Sequence, residues 1–484
     1  MFPILPIIAP AQVPSLTVSV QPSSAPRPVL PPQDPLPFPE NLLPQEELPA
    51  QEIIQSQEVR TLPGRLDDIP VFNSNSPEVV LTEGILLSTF PSDGMRVPSA
   101  HLNYAFNGRF DFFSHHISRA SNPSQTRSLF QGIVVYNPND QPVQVDVIQA
   151  ATYLTRPDAQ FVDLPAAVED PLGRVFAGPG SRVVNDILRG RRQSILPTVM
   201  VIPPKQAQML MNLPIPAGTV TPTSNGRSTL MRLHSTAPVY MATLAMYAPQ
   251  NPNRTERVPT IQEWLNLLVN TGLAGPRDIP PSPPNLKTTH ITYGRVAGVA
   301  RGSQWQAQLT DNSNADDLSI PKAGRGFSYG LSMLERGTFG TGQIQSAPML
   351  VRYPDTAFLA NGNYGIQYNL VLPLRNTSRQ TQTVTLSIET PLKQDRGKNE
   401  LLFLSTPENR ISFRGTVRLR YADDLSRPQS RYFHLVQRRG QKGESLVTLT
   451  LKPGERRLVE VDFLYPPDAT PPQVLTVRTL ENAR

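Results

Sequence analysis

The chain has 484 residues, 45 basic against 39 acidic for a formal net charge of +6, 53 prolines, 29 glycines and no cysteine. The missing cysteine excludes disulfides, thiolate metal sites and cysteine nucleophiles. The proline load excludes a mainly helical fold, because proline lacks an amide hydrogen and clashes with the preceding helical turn. It is compatible with short strands and many turns.

Residues 1–57 read as an apolar start followed by a disordered, Pro-rich leader. Ala9-Pro10-Ala11 is a poor version of a signal-peptidase site, and the basic n-region of a secretory signal is missing. Two readings stand: a signal clipped by a misassigned start, or an apolar opening to a disordered tail. The prolines from Pro22 to Pro39 favour extended polyproline conformations and give a spacer. This leader holds one basic residue, Arg27, and five acidic ones, so the remainder carries 44 basic against 34 acidic residues.

Residues 58–250 read as an N-terminal β-sandwich-like domain. Leu129–Tyr136, the turn Asn137-Pro-Asn-Asp140 and the alternation of Val143, Val145 and Val147 predict a hairpin. Val199–Ile202, the turn Pro203-Pro204-Lys205-Gln206, Ala207–Leu213, Leu230–His234 and Val239–Tyr247 supply further strands. A short helix is expected over Arg182–Arg189. Residues 251–285 hold a helix and a Pro-rich linker. There Thr260-Ile-Gln-Glu263 is a capping box, Ile261, Trp264, Leu265, Leu268 and Val269 form one face, and Gly272 is the expected stop.

Residues 286–361 form a Gly-rich β segment. Residues 362–484 read as an immunoglobulin-like β-sandwich and repeat the earlier order: strand, Asn-led turn at Asn376–Gln380, alternating strand at Val384, Leu386 and Ile388, then the turn Lys452-Pro453-Gly454-Glu455 and a long strand. The match is of pattern, not of residue identity, so a duplication is suggested without being established. The fold class is therefore all-β, two β-sandwich-like domains with short helical insertions.

Several strings resemble a cyanobacterial family known only as domain of unknown function 3370. They are Glu58-Val-Arg with Leu62-Pro-Gly64, Val71-Phe-Asn-Ser-Asn-Ser-Pro77, Glu83-Gly-Ile-Leu-Leu-Ser-Thr-Phe90, Asn212-Leu-Pro-Ile-Pro216 with Asn225-Gly-Arg-Ser-Thr-Leu-Met-Arg232, Tyr293-Gly-Arg-Val-Ala-Gly-Val299, Gln345-Ser-Ala-Pro-Met-Leu-Val-Arg-Tyr353 and Phe463–Pro472. The resemblance spans nearly everything after Glu58. It implies a cyanobacterial source and a secreted or envelope location, and it brings no activity and no catalytic residues.

Each motif that could carry chemistry has a plainer reading. Gly326-Phe-Ser328-Tyr-Gly330 has the G-x-S-x-G form, but no buried strand precedes it and no βαβ alternation surrounds it. Only His434 lies downstream, with Asp355, Asp395, Asp423 and Asp424 as third members, so a glycine loop is expected. His101, His115 and His116 could approach a metal, yet adjacent residues on a strand face opposite ways, and packed imidazoles are expected. Gly178-Pro-Gly-Ser-Arg-Val183 before a helix invites phosphate but lacks a Walker lysine, and Arg189-Gly-Arg-Arg192 reads as an exposed basic loop. Asp67-Asp68, Asp316-Asp317 and Asp423-Asp424 read as turn carboxylates. Two tryptophans, Trp264 and Trp305, make a thin sugar-stacking platform.

No catalytic, cofactor-binding or metal site, and no cofactor, is assigned on this basis. The expectation is a non-catalytic structural or adhesive protein of the periplasm or cell surface. Arginine-rich faces of the last domain would meet an acidic polysaccharide or another envelope protein, with no nucleic-acid partner and no transmembrane segment. The alternatives are an envelope hydrolase acting on glycans or esters and a small-ligand-binding β domain.

Overall fold

The computed structural model describes residues 50–120, 127–284, 290–395, 397 and 399–481. The Pro-rich part of the leader, residues 1–49, lies outside the described residues. Among the described residues the fold is mostly β, with several sheets, two α-helices and no barrel. Among the described residues no helix is long and apolar enough to cross a membrane.

The N-terminal sandwich is organised by one 24-residue strand, Ser224–Tyr247. Its first half pairs with Phe106–Arg119 and Val143–Leu154. Its second half pairs with Gly84–Ser88 and Leu129–Tyr136 in the facing layer. The register shifts between Ser235 and Val239, around Pro238. Proline cannot donate to a ladder, so the strand changes sheets where its hydrogen bonding is already broken. The two strands expected at Leu230–His234 and Val239–Tyr247 are the two halves of this one. Phe72, Phe110, Val145, Met231, Ile133 and Met241 from both layers close the core.

Leu129–Tyr136 and Val143–Leu154 do not pair with each other, which corrects the expected hairpin. Leu129–Tyr136 pairs with Ala207–Ile215, and Val143–Leu154 pairs with Val199–Ile202 in the other layer. The connection at Asn137 is an arch between sheets, and so is the Pro203–Gln206 turn. Apolar alternation on both sides of a polar turn is common to hairpins and arches, so the pattern alone could not separate them.

The C-terminal sandwich packs a seven-stranded sheet on a five-stranded one, with Tyr368, Val384, Leu386, Phe463, Leu475 and Val477 in a shared core. It repeats the double arch. Gln367–Arg375 pairs with Arg456–Leu464, and Gln382–Glu389 pairs with Val447–Leu451 in the other sheet. The two asparagines work alike. Asn137 Nδ2 donates to Gln141 O at 2.8 Å and, across to the stacked arch, to Ile202 O at 2.9 Å. Asn376 Nδ2 donates to Gln380 O at 2.7 Å and to Leu451 O at 2.9 Å. Each Oδ1 accepts the amide two residues on, from Asn139 at 2.8 Å and Ser378 at 2.9 Å. The pattern match read from the sequence is thus a match of hydrogen-bonded corners.

Strand pairs cross the segment boundaries drawn from the sequence. Glu58–Arg60 lies parallel to Phe327–Tyr329 in the C-terminal sandwich, and Ala167–Glu169 pairs with Phe433–Leu435. Residues 286–361 are shared out: Ala297–Arg301 and Ala347–Arg352 extend the N-terminal sheet, while Gln304–Gln308 and Gly326–Leu331 belong to the C-terminal sheets. Glu52–Ser56, placed in the leader by sequence, pairs with Glu400–Leu404. Its side chains are mostly exposed, so the backbone ladder holds it, which a search for buried patterns does not detect.

The first helix, α1, runs Pro179–Leu188, three residues earlier than expected. Val183, Val184, Ile187 and Leu188 pack against Phe113, Tyr153 and Leu230 of one sandwich and Leu464 of the other. The second, α2 (Ile261–Asn270), has the expected Thr260/Glu263 capping box. Its buried residues are Trp264, Leu267 and Leu268; Val269, expected on that face, is exposed. Gly132 lies beneath Trp264, where a Cβ would stand 2.7 Å from the indole.

Candidate functional site

Ser328 sits in mid-strand and is fully buried. Its Oγ accepts from Gln57 Nε2 and lies 2.7 Å from Thr476 Oγ1, which donates to Glu389 Oε2 at 2.7 Å. Burial pushes the Glu389 carboxyl up. This closed chain of side chains joins three strands of one sheet and presents no hydroxyl to solvent. The expected glycine loop is a strand, because Phe327, Tyr329 and Leu331 are apolar positions that the sheet buries.

His115 and His116 do face opposite ways. His116 is held between Ser74 Oγ at 2.9 Å and Pro77 O at 2.8 Å, and His115 Nδ1 lies 2.8 Å from Ser228 Oγ. His101 Nδ1 is 2.9 Å from Ser88 Oγ, and His434 Nδ1 is 3.5 Å from Thr416 Oγ1. Burial lowers His101 and His434 to about 4 and His116 to about 3. All three are neutral above those values. Among the described residues no group of three or more His, Asp or Glu is placed to hold a metal ion.

The amino end of α1 is filled from within. Asp468 packs beside Gly180, 3.2 Å from where a Cβ would stand, and accepts from the Ser181 amide. An internal carboxylate therefore stands where a phosphate would be sought. Burial pushes this carboxyl up to about 6. The basic loop after α1 is also consumed: Arg189 stacks 3.8 Å over Tyr432, Arg191 pairs with Asp186 at 3.0 Å and Arg192 donates to Leu196 O at 2.9 Å.

The doubled aspartates serve turns and pairings. Asp423 accepts the Leu425 and Arg427 amides at 3.0 and 2.9 Å. Asp317 takes Arg375 at 2.8 Å and Arg456 at 2.5 Å. Asp67 accepts from the Ser303 amide at 2.7 Å. Asp355 pairs with Arg277 at 2.7 Å, and Asp395 accepts from Thr338.

Much of the arginine of the last domain is likewise matched by carboxylates. Arg418 and Arg420 share Asp462 at 3.0 and 3.2 Å, Arg431 pairs with Glu169 at 2.7 Å, and Arg457 pairs with Glu455 and Asp424. These strand faces therefore display paired charge.

A further group of cations gathers in a cleft between the sandwiches. A cavity of about 260 Å³ is lined by Asn73 and Asn75 from one sandwich, Tyr364, Arg410 and Thr470 from the other, and Tyr293 from the segment 286–361. A groove of about 650 Å³ shares Tyr293, Lys393, Arg410 and Thr470 with it and adds Arg336 and Arg439. Lys393 Nζ donates to Tyr293 Oη at 2.6 Å and sits 4.6 Å from that ring's centre. Burial, with Arg336 and Arg439 nearby, lowers the Lys393 pKa, and Asp395 works against them. Tyr293 Oη donates to Glu335 O at 2.6 Å, and burial pushes its hydroxyl up to about 12.

The cations of the cleft differ in how far they are neutralised. Arg295 is matched by Glu78 and by Asp278 at 3.5 Å, and Arg439 by Glu408. Among the described residues neither Lys393 nor Arg410 has a carboxylate within ion-pair distance. Neither the cavity nor the groove is lined by an aspartate or glutamate among those residues.

Asn73 and Asn75 are 5% and 6% exposed, and their carboxamide oxygens have no hydrogen-bond partner among the described residues. Period-two geometry puts both on one side of the chain, while Ser74 turns the other way to His116. Sequence reasoning did not single out these residues. Two asparagines at alternate positions of Val71-Phe-Asn-Ser-Asn-Ser-Pro77 were the available signal; Lys393 and Arg410 are brought to them only by the fold.

The profile of the family described as "Protein of unknown function (DUF3370)" matches residues 57–479. The chain belongs to this family. A search of the curated proteins finds no match. Among solved structures, the crystal structure of Lac15 from a marine microbial metagenome is 9% identical, with a TM-score of 0.09. That alignment covers 78% of this chain and 56% of the other, and at such a score it carries no argument.

Proposed function

We propose that this DUF3370 member is a non-catalytic structural or adhesive protein of a cyanobacterial cell envelope that holds an anionic partner in the cleft between its sandwiches. The observation that carries the reading is the pairing pattern of its charges. Arginines on the strand faces are matched by carboxylates, whereas Lys393 and Arg410 stand without them on the shared wall of a cavity and a groove. Incompletely neutralised cations in a concave site attract anions, and the attraction weakens with salt. The strings shared with a cyanobacterial family support the source and the secreted or envelope location.

The geometry also favours binding over hydrolysis. A glycosidase needs two carboxyl groups across its cleft, and among the described residues no aspartate or glutamate lines the cavity or the groove. A serine hydrolase needs an accessible hydroxyl beside a base, and Ser328 is locked in a sheet. The test is retention of the full chain on isolated envelope fractions across a salt series, beside Ser328→Ala on ester and glycan panels. Salt-sensitive retention with no turnover by either protein is expected. Salt-insensitive or absent retention, or turnover lost in Ser328→Ala, overturns the proposal.

A further inference from the structure

Resting on that reading, we infer that the anionic partner is a protein, held by an extended acidic segment that also seats one apolar side chain beside the cleft. A third hollow, of about 250 Å³, joins the 260 Å³ cavity through Tyr293 and Asn361 and the groove through Ile291 and Tyr293. Its walls include Pro281, Pro283, Ile291, Phe358 and Leu359, with Glu335 beside them. Among the described residues no lysine, arginine or histidine lines it. The site is thus apolar at one end and cationic at the other, where Lys393 and Arg410 stand on the shared wall.

The apolar hollow is held in shape by its own bonds. The Ser282 amide donates to Thr292 O at 2.8 Å, and Ser282 Oγ accepts from the Thr292 amide at 3.0 Å, which ties the run at Pro281 to the run at Ile291. Gly294, at φ +73°, lets the chain pass close to Pro281, whose Cβ would lie 3.0 Å from an added one. The prolines fix φ, so little order is left to lose on binding. Arg352 stacks 3.8 Å from the centre of the Phe358 ring and steadies that side chain as well. Ile291, Phe358 and Leu359 keep part of their surface open to solvent, and covering it is favourable.

The two ends together select the partner. A bare polyanion, whether phosphate, sulfate or uronate, finds cations at one end only and leaves the apolar hollow unfilled. An acyl anion brings one charge and a tail for which the hollow, below the ~300–1,000 Å³ of sites for drug-sized ligands, is small. A single apolar side chain suits that volume. At the other end Lys393 and Arg410 can each give a charge-assisted hydrogen bond, so more than one carboxylate is accepted there. An extended peptide advances ~3.3–3.6 Å per residue and carries apolar and acidic side chains on one backbone. Tyr293 lines all three hollows, and its Oη accepts from Lys393 while donating to Glu335 O. One side chain therefore sets the apolar seat and the cation beside it.

The experiment is calorimetry on the full chain with a blocked nonapeptide that has phenylalanine at its centre and two glutamates among serines on each side, a design indifferent to chain direction. One control has serine at the centre, a second has glutamine for every glutamate, and polyphosphate and laurate stand for the bare polyanion and the acyl anion. The phenylalanine peptide should bind, with each control about tenfold weaker or worse, the equivalent of one buried apolar side chain or one charge-assisted bond. Ile291→Ser should weaken the phenylalanine peptide about tenfold and leave the serine-centred one unchanged. Arg410→Gln, at an exposed position, should weaken both, while melting curves show both variants folded. Serine-centred peptide, polyphosphate or laurate binding as tightly as the phenylalanine peptide, or Ile291→Ser weakening both acidic peptides alike or neither, overturns the protein-segment inference and leaves the anionic cleft standing. Equal binding of the glutamine peptide, no effect of Arg410→Gln, or no binding of any anionic probe overturns the anionic reading as well.

Discussion

At the scale of single residues, polar side chains buried in the sheets work as internal fasteners. His101, His116 and His434 are kept neutral by burial, at about 4, 3 and 4. The unfolded chain protonates its histidines near the usual pKa of ~6.5, so it binds more protons than the folded chain below that value. Their contribution to stability is complete above pH ~6.5 and is lost as the pH falls toward 4. Asp468, raised to about 6, acts with the opposite sign, gaining a proton in the folded state first. Burial also lowers His115 to about 4 and raises Glu78, Asp111 and Glu389, so substitution separates the imidazoles from the carboxyls: His101→Asn should make the melting temperature fall less, or rise more, from pH 7 to pH 4 than it does in the parent. A profile unchanged by the substitution would remove His101 from the account. The sequence alone indicated that His115 and His116 diverge, because strand alternation is local. It did not indicate Asn73 and Asn75, whose meaning depends on a cavity formed by residues far along the chain.

The elements themselves were largely legible, and their partners were not. Val143, Val145 and Val147 announce a strand by alternation, and Thr260 with Glu263 announces a helix start by capping chemistry. Neither signal says which sheet the next strand joins. Asn137 and Asn376 show what decides it: each ties its own arch to the stacked one through backbone carbonyls. Both are fully buried, so alanine removes the donor to three carbonyls at Asn137 and to two at Asn376, with the acceptor of one amide at each. Each substitution should cost about 1–3 kcal/mol or somewhat more in chemical denaturation, as a buried network loses several partners. Similar losses at the two sites would fit their equivalent geometry. A loss at one site alone would show that the two corners are not energetically alike.

For the whole molecule, the sequence suggested units in succession, whereas the strands interlock. Proline-rich stretches look like linkers whether or not the sheets on either side exchange strands, which is why composition did not reveal it. Glu52–Ser56, Glu58–Arg60 and Ala167–Glu169 complete sheets whose other strands come from after residue 290. Residues 290–481 made alone therefore lack three strands, and residues 50–284 alone leave Pro70–Ser74 without Ala297–Arg301. Neither fragment should melt cooperatively by calorimetry, and mixing the two should restore a cooperative transition. Cooperative melting of either fragment by itself would contradict the interlock. The cleft depends on the same arrangement, since its two walls come from different sandwiches. The parallel pairing of Glu58–Arg60 with Phe327–Tyr329, a strand that itself lies against Gln473–Thr479, also bears on biosynthesis. An early stretch of nascent chain must wait on the ribosome for neighbours not yet translated, its edge open to misplaced partners, so the protein should depend on chaperone holding in proportion to how slowly it is made.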